Sequence, residues 1–327
     1  NEVHRLGGSR GLVLCTPTQE EYARYISAQL GEASGGVFSG AVMHTPVNVT
    51  EQAVAAYERA GADCLIAFGG GSTMGLSKAI SYRTNAAQIA VVTTYSGSEV
   101  TPILGETDDG VKTTVRDASI LPEAVIYDPE LTLDLPVSTS VTSGLNAMAH
   151  AIEGLYARDR NLITDLMAFE GVQSLKEALP VIAKWPHDVD ARSKALYGAW
   201  LCGTVLGSVG MALHQKLCHV VGGSFDLPHA ETHAVMLPHS IAYNARAAAD
   251  VLAPVAEIFG NDVAGGLYDF ADSIGAPLAL KELGFSEADL DRAADLAMKT
   301  AYWNPRALER DAIRALLQNA RSGVRPE

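Results

Sequence analysis

Cysteine is scarce in this sequence: Cys15, Cys64, Cys202 and Cys218 are scattered through 327 residues with no Cys-x-x-Cys pair. A chain this long can bury enough apolar surface to do without disulfide staples, so a disulfide scaffold is excluded and reduced thiols in a cytoplasmic setting are expected. Basic residues are also in short supply, 24 Lys and Arg against 38 Asp and Glu, for a formal charge of −14. The deficit is uniform, with 8 basic and 15 acidic residues up to position 130 and 16 and 23 beyond it, so each part carries −7. No basic segment hides in that average, which argues against nucleic acid and against anionic membranes as partners. Long apolar runs are missing too: none approaches the roughly 20 residues of a membrane span, and the N-terminus lacks the charged-then-apolar pattern of a signal peptide. The chain opens without an initiator Met, so its natural start is expected to lie upstream. Internal repeats, low-complexity tracts and composition-marked linkers are absent.

What is present is a large apolar fraction, 48%, enough for a sizeable core and, at this length, for two domains. Short runs rich in Val and Ile, "GLVLCT", "GGVFSGAVM", "DCLIAFGGG", "IAVVTT" and "AVIYDP", alternate with helix-like segments in the first part of the chain. That alternation predicts βαβ units and a mainly parallel sheet over residues 1–135. Beyond it the pattern is helical throughout, as in "ITDLMAFEGVQSLKEAL" and "EADLDRAADLAMKTA", so an all-helical domain is expected over 136–327. Ligands of parallel sheets bind beyond the carboxyl ends of the strands, and a cleft between the two domains is where a site is expected.

Two strand exits carry anion-compatible chemistry. In "CLIAFGGGSTMGLSKAI" an apolar strand runs through Gly69, Gly70, Gly71 and Ser72 into a helical pattern. Glycines let backbone approach a phosphate, and a helix N-terminus offers free N–H groups with a partial positive charge. The next exit, "VVTTYSGSEVTP", supplies the hydroxyls of Thr93, Thr94, Ser96 and Ser98. Each loop alone reads equally well as a plain turn; two neighbouring exits of this kind point to a nucleotide. Further on, "HQKLCHVVGGSFDLPHAETHAVMLPH" at 214–239 holds five of the nine histidines. Imidazole is the commonest transition-metal ligand, so the cluster raises the question of a metal.

Taken in order, "GGGSTMGLSKAI", "TTYSGSEVTPILGET", "VKTT", "YDPELTLDLP", "SGLNAMAHAIEGLYA" and "DLPHAETHAVMLPH" resemble the iron-containing alcohol dehydrogenase superfamily, and within it the maleylacetate reductase branch. The likeness runs from the first strand to the "NPR" at 304–306. It implies a dinucleotide-binding α/β N-terminal domain with a parallel sheet followed by an all-α C-terminal domain, the architecture shared with dehydroquinate synthase. It further implies a homodimer that uses NADH or NADPH to reduce maleylacetate, a small dicarboxylate, to 3-oxoadipate. By motif, Gly69, Gly70, Gly71 and Ser72 would hold the pyrophosphate, Thr93, Thr94 and Ser96 would line the cofactor site, and Lys112 would lie near its phosphates or ribose. Many relatives carry Asp where this chain has Gly75, and a carboxylate after the first strand where it has "CTPTQ". The missing carboxylate would have repelled a 2′-phosphate, so both NADH and NADPH are expected to serve.

In metal-dependent relatives an Asp and a His four positions apart join two later histidines fourteen apart. Here those four positions read Asn146, His150, Gln215 and His229. Two amides are poor replacements for carboxylate and imidazole around Zn²⁺ or Fe²⁺, so no metal is expected. A shift to the neighbouring His214 would swing the side chain about 100° around the helix. Hydride addition β to the ketone develops an enolate that needs a stabilising donor and a proton. His150, His219 and His229 are expected in those roles, with Asn146 and Gln215 as neutral donors. Lys216 is expected either on a substrate carboxylate or in solvent. His233 and His239 read as packing or capping, and His4, His44 and His187 as structural. The competing readings are a metal-dependent alcohol or glycerol-type dehydrogenase rescued by His214, a non-catalytic nucleotide sensor, and a lyase related to dehydroquinate synthase.

Overall fold

A computed structural model describes every residue except Gly110, Thr300 and Ala301, with backbone alone for Val111 and Lys112. The chain divides into two compact units, Asn1–Thr132 and Leu133–Glu327.

The first unit runs α1 (Glu2–Arg5), β1 (Gly11–Leu14), α2 (Glu20–Leu30), β2 (Ser34–Phe38), α3 (Val47–Ala60), β3 (Cys64–Gly69), α4 (Gly71–Thr84), β4 (Ala87–Val92), β5 (Ile103–Asp108), β6 (Val111–Arg116) and β7 (Ala124–Ile126). The five apolar runs read as strands form one sheet in the order β2-β1-β3-β4-β7, parallel at every pairing. Their near-continuous apolarity follows from burial on both faces. Val13, Ile66, Ile89 and Val91 pack with Ala23 of α2 on one face, while Leu12, Leu14 and Leu65 pack with Ala53 of α3 and Leu76 and Ile80 of α4 on the other. From β1 the chain goes outward to β2 and then crosses back to β3, so the order reverses between β1 and β3, where open parallel sheets bind their ligands.

One element was not expected. β5 and β6 pair antiparallel, Ile103 with Arg116 through Asp108 with Val111, as a ribbon apart from the main sheet. Its signal was the "DDG" between two alternating segments, with Asp109 in the left-handed region at φ 45°.

The second unit holds α5 (Val137–Gly154), α6 (Leu162–Lys184), α7 (Val189–Ser208), α8 (Leu213–Phe225), α9 (His229–Ala245), α10 (Ala249–Ile258), α11 (Val263–Ser273), α12 (Leu290–Met298) and α13 (Arg310–Ser322), and among the described residues no strand. Local sequence explains where several helices start. Asn161 accepts from the backbone N–H groups of Ile163 and Thr164 in a reciprocal capping box, and Asp188 caps α7 through Ala191. Leu213, Leu217 and Val221 of α8 meet Val235 and Met236 of α9 and Ile313 and Leu317 of α13 in one apolar core, which sets the polar faces of α8 and α9. No single described helix is long and apolar enough to cross a membrane.

Candidate active site

In the first unit the two glycine- and hydroxyl-bearing exits touch. The Thr93 N–H donates to the Gly69 carbonyl at 3.1 Å, joining the end of β3 to the end of β4. Gly69 has φ 150°, and a Cβ there would meet Thr73 Oγ1 at 2.5 Å. Gly70 caps α4, and a Cβ would meet the Thr94 side chain at 2.6–2.7 Å. At Gly71 the nearest atom is Ser96 at 3.9 Å, so space opens in front of the first turn of α4. Gly69, Gly70, Gly71, Ser72, Thr93, Thr94 and Ser96 are thus brought together around a helix N-terminus suited to phosphate. Lys112 lies in β6 opposite Thr107, and its side chain falls outside the described residues. Gly75 packs against Thr45: a Cβ would stand 2.5 Å from Thr45 Oγ1.

Two residues that sequence reasoning passed over hold these loops. Gln19 accepts from Thr16 Oγ1 and donates to Thr93 Oγ1, both at 3.0 Å, linking the β1 exit to the β4 exit. Lys78, fully buried on α4, donates to the Ser98 carbonyl, to Thr101 Oγ1 at 2.9 Å and to the Ile103 carbonyl at 3.1 Å. Burial pushes its pKa down to about 7, opposed by the nearby Glu99 carboxylate. The clamp closes the polar loop after β4. A lysine amid the apolar pattern of "GLSKAI" was the available signal.

In the second unit helical spacing sets the polar faces. Asn146 and His150 stand one turn apart on α5, Gln215 and His219 one turn apart on α8, and His229 and His233 one turn apart on α9. Gln215 Nε2 lies 3.1 Å from His219 Nε2. The His233 ring stands 4.4 Å from His229, 5.0 Å from His214 and 5.6 Å from His150 between centroids, so α9 joins the imidazoles of all three helices. Lys216 extends over the Tyr302 ring at 5.8 Å. His239 is buried near Tyr268, outside this group.

The electrostatics revise one expectation. Burial, with neighbouring imidazoles adding to it, holds His150 down to about 3 and His233 well below the usual histidine range. At neutral pH both rings are neutral and carry lone pairs, so His150 does not fit the expected role of a charged acid. His219 and His229 are only half-buried and keep contact with solvent.

Glu153, three residues beyond His150, was missed. It is fully buried, and its carboxylate accepts from the backbone N–H of His214 at 2.6 Å and of Gln215 at 3.0 Å. The helix α8 has no side-chain cap of its own, and this carboxylate on α5 supplies one, placing negative charge at the helix N-terminus. Burial pushes its pKa up to about 7 against those hydrogen bonds. Removing the acceptor leaves buried N–H groups unpaired, so Glu153→Ala is expected to lose about 3 kcal/mol of stability by denaturant unfolding. Glu153→Gln, which keeps one acceptor oxygen, loses less. The folded pKa is raised, so the native state binds more protons than the unfolded one between the usual glutamate value of 4.5 and about 7. Wild-type stability therefore falls relative to Glu153→Gln as pH rises through that window; a constant difference would contradict the buried carboxyl.

A family model described as iron-containing alcohol dehydrogenase matches residues 1–129, and one described as the C-terminal part of the Fe-containing alcohol dehydrogenase family matches residues 140–321. The chain belongs to the iron-containing alcohol dehydrogenase family, a class of NAD(P)H-dependent oxidoreductases acting on small molecules. Maleylacetate reductase of Rhizobium sp. strain MTP-10005 is 61% identical over 326 residues, spanning 100% of this chain and 93% of that protein. The crystal structure of maleylacetate reductase from Agrobacterium tumefaciens matches with TM-score 0.96 at 62% identity, covering 99% of this chain and 93% of that one. An iron-containing alcohol dehydrogenase from Corynebacterium glutamicum matches with TM-score 0.94 at 39% identity, covering 99% and 91%.

These matches overturn the expectation of a metal-free enzyme, because the family is iron-containing. The chain's own residues agree with that correction. Asn146 Oδ1, Gln215 Oε1, both ring nitrogens of His150 and His233 Nε2 are buried without a hydrogen-bond partner. Each such atom costs about 1–3 kcal/mol if left unpaired, and the oxygen and nitrogen lone pairs among them are of the kind a cation takes up. His214, Cys218 and His233 also bring three ligand atoms within 4.8 Å of one another. Asn146 and Gln215 are weak ligands by themselves, but folding brings the imidazoles of His150, His214, His229 and His233 together in the same group of helices.

Proposed function

We propose that this chain reduces maleylacetate to 3-oxoadipate with NADH or NADPH. The observation that carries the reading is 61% identity across the whole chain to a maleylacetate reductase, and the polar faces of α5, α8 and α9 suit the chemistry. The substrate has an alkene conjugated to a ketone and flanked by carboxylates. When bound, the reduced nicotinamide supplies hydride to the carbon β to the ketone, and a divalent cation held among Asn146, His150, His229 and their neighbours supplies positive charge. The chain's residues must then stabilise the enolate oxygen and deliver a proton to the carbon between it and the new C–H bond. His219 suits the proton delivery because it keeps solvent contact through which a proton is replenished. The Gln215 amide orients the oxygen, and Lys216 pairs with a carboxylate. In the first unit, Gly69 to Ser72, with Thr93, Thr94, Ser96 and Lys112, hold the dinucleotide phosphates and ribose. The test is steady-state oxidation of NADH with maleylacetate against simple alcohols and aldehydes; turnover of the latter alone defeats the reading.

No carboxylate occupies "CTPTQ", and the next one, Glu20, is already engaged by Ser39 and Arg24. Both cofactors are therefore expected to support turnover. A kcat/KM preference beyond about 10³-fold, near 4 kcal/mol of discrimination, would contradict this.

A further inference from the structure

His233 lies on α9 one turn beyond His229 and is fully buried. The hydrogen bonds behind it determine which of its nitrogens carries the proton. Ser240 donates its hydroxyl hydrogen to the Leu237 carbonyl at 3.0 Å, a group that can only accept. Ser240 Oγ is then the acceptor for His214 Nδ1–H at 2.8 Å. That leaves a lone pair on His214 Nε2, which accepts from His233 Nδ1–H at 3.0 Å, with the Cys218 thiol 3.6 Å away as a second donor. By elimination the lone pair of His233 is on Nε2, and that atom is buried with no partner.

We propose that His233 Nε2 is a ligand of the divalent cation in this chain, beside His150 and His229, and replaces the imidazole that position 215 does not supply. The proposal rests on the resident ion of the family, not on the identity of the substrate. Two imidazoles bound to one ion through nitrogens about 2.0–2.1 Å away have ring centroids about 4.5–5.5 Å apart at angles of about 90–120°. His233 stands 4.4 Å from His229 and 5.6 Å from His150, each just outside one end of that range, so small ring movements bring both into it. Its remaining N–H is bound to a second buried group, which is how ligating histidines are oriented. The ligand class is a borderline divalent cation such as Fe²⁺, Zn²⁺ or Co²⁺. The competing seat is the group formed by His214, Cys218 and His233, whose ligand atoms lie within 4.8 Å of one another. Binding there requires His214 Nε2 and His233 Nδ1 to give up their mutual hydrogen bond.

Co²⁺ titration of the purified full chain tests this, read by visible d–d absorption and by the near-ultraviolet band that a thiolate ligand adds. Wild type and Cys218→Ser are expected to bind one Co²⁺ with the same affinity and spectrum. His233→Asn is expected to bind at least about 10²-fold more weakly with an altered d–d envelope, and Ser240→Ala, which releases the tautomer but keeps every ligand, about 10-fold more weakly. Far-ultraviolet circular dichroism checks the fold of each variant, and Ser240→Ala keeps the test open if His233→Asn does not fold. Unchanged affinity and spectrum in His233→Asn overturns the proposal. A thiolate band lost in Cys218→Ser also overturns it, because the ion then sits in the competing seat. A wild type that binds no Co²⁺ overturns it together with the family's metal, while NADH oxidation with maleylacetate remains a separate test of the proposed reaction.

Discussion

Replacing His150 with Ala is expected to lower kcat by about 10²-fold or more while leaving NADH affinity nearly unchanged. The His150 ring is buried and neutral on α5, and both of its nitrogens lack a protein partner. A residue kept in that state contributes nothing to the hydrogen-bonded framework of the unit, so its nitrogens are reserved for an ion or a substrate. Its loss is felt where charge develops on the substrate, not at the glycine- and hydroxyl-bearing loops of the first unit that are proposed to hold the dinucleotide. The same split is expected for His229→Ala and His219→Ala. Single-turnover kinetics and fluorescence titration with NADH separate the two effects. Near-normal kcat in all three variants would show that the reaction is carried elsewhere.

Gly70→Ala is expected to raise the KM for NADH by at least about 10-fold, for two separable reasons. A Cβ at this position overlaps the Thr94 side chain, with contacts of 2.6–2.7 Å to Cγ2 and Oγ1. It also adds bulk to the backbone from which α4 starts, where a phosphate needs close approach. Thr94→Ala removes both overlapping atoms, leaving Thr94 Cβ 3.2 Å away as the nearest contact. The double variant Gly70→Ala with Thr94→Ala is therefore expected to recover thermal stability but not cofactor affinity. Full recovery of KM in the double variant would mean that Gly70 serves packing alone and that the loop does not carry the phosphates.

Much of the fold was legible because the patterns are local. Val13, Ile66 and Ile89 sit in apolar runs of strand length bounded by glycine and polar residues, and those runs are the strands of the sheet. Period-2 burial on both faces leaves little else such segments can be. The helical unit announced itself in the same way, through periodic apolar faces, and the structure adds the caps Asn161 and Asp188 that start two of its helices. The β5–β6 ribbon was missed because its alternation is short and lies apart from the apolar runs that mark the main sheet.

At the site, sequence alone determined which residues are neighbours along a helix. Spacings of four put Asn146 with His150, Gln215 with His219, and His229 with His233, since four residues make one turn. Tertiary structure alone decided what those pairs face. Glu153 caps a helix that begins 60 residues later in the chain, Lys78 clamps a loop formed after the next strand, and His233 meets His214 and His150 from two other helices. Burial then set their protonation, lowering His150 and His233 and raising Glu153. The sequence carried the ligand types, but whether an imidazole is a proton donor or a lone pair depends on solvent exclusion and on its hydrogen-bond partners. Both arise from packing between elements distant along the chain.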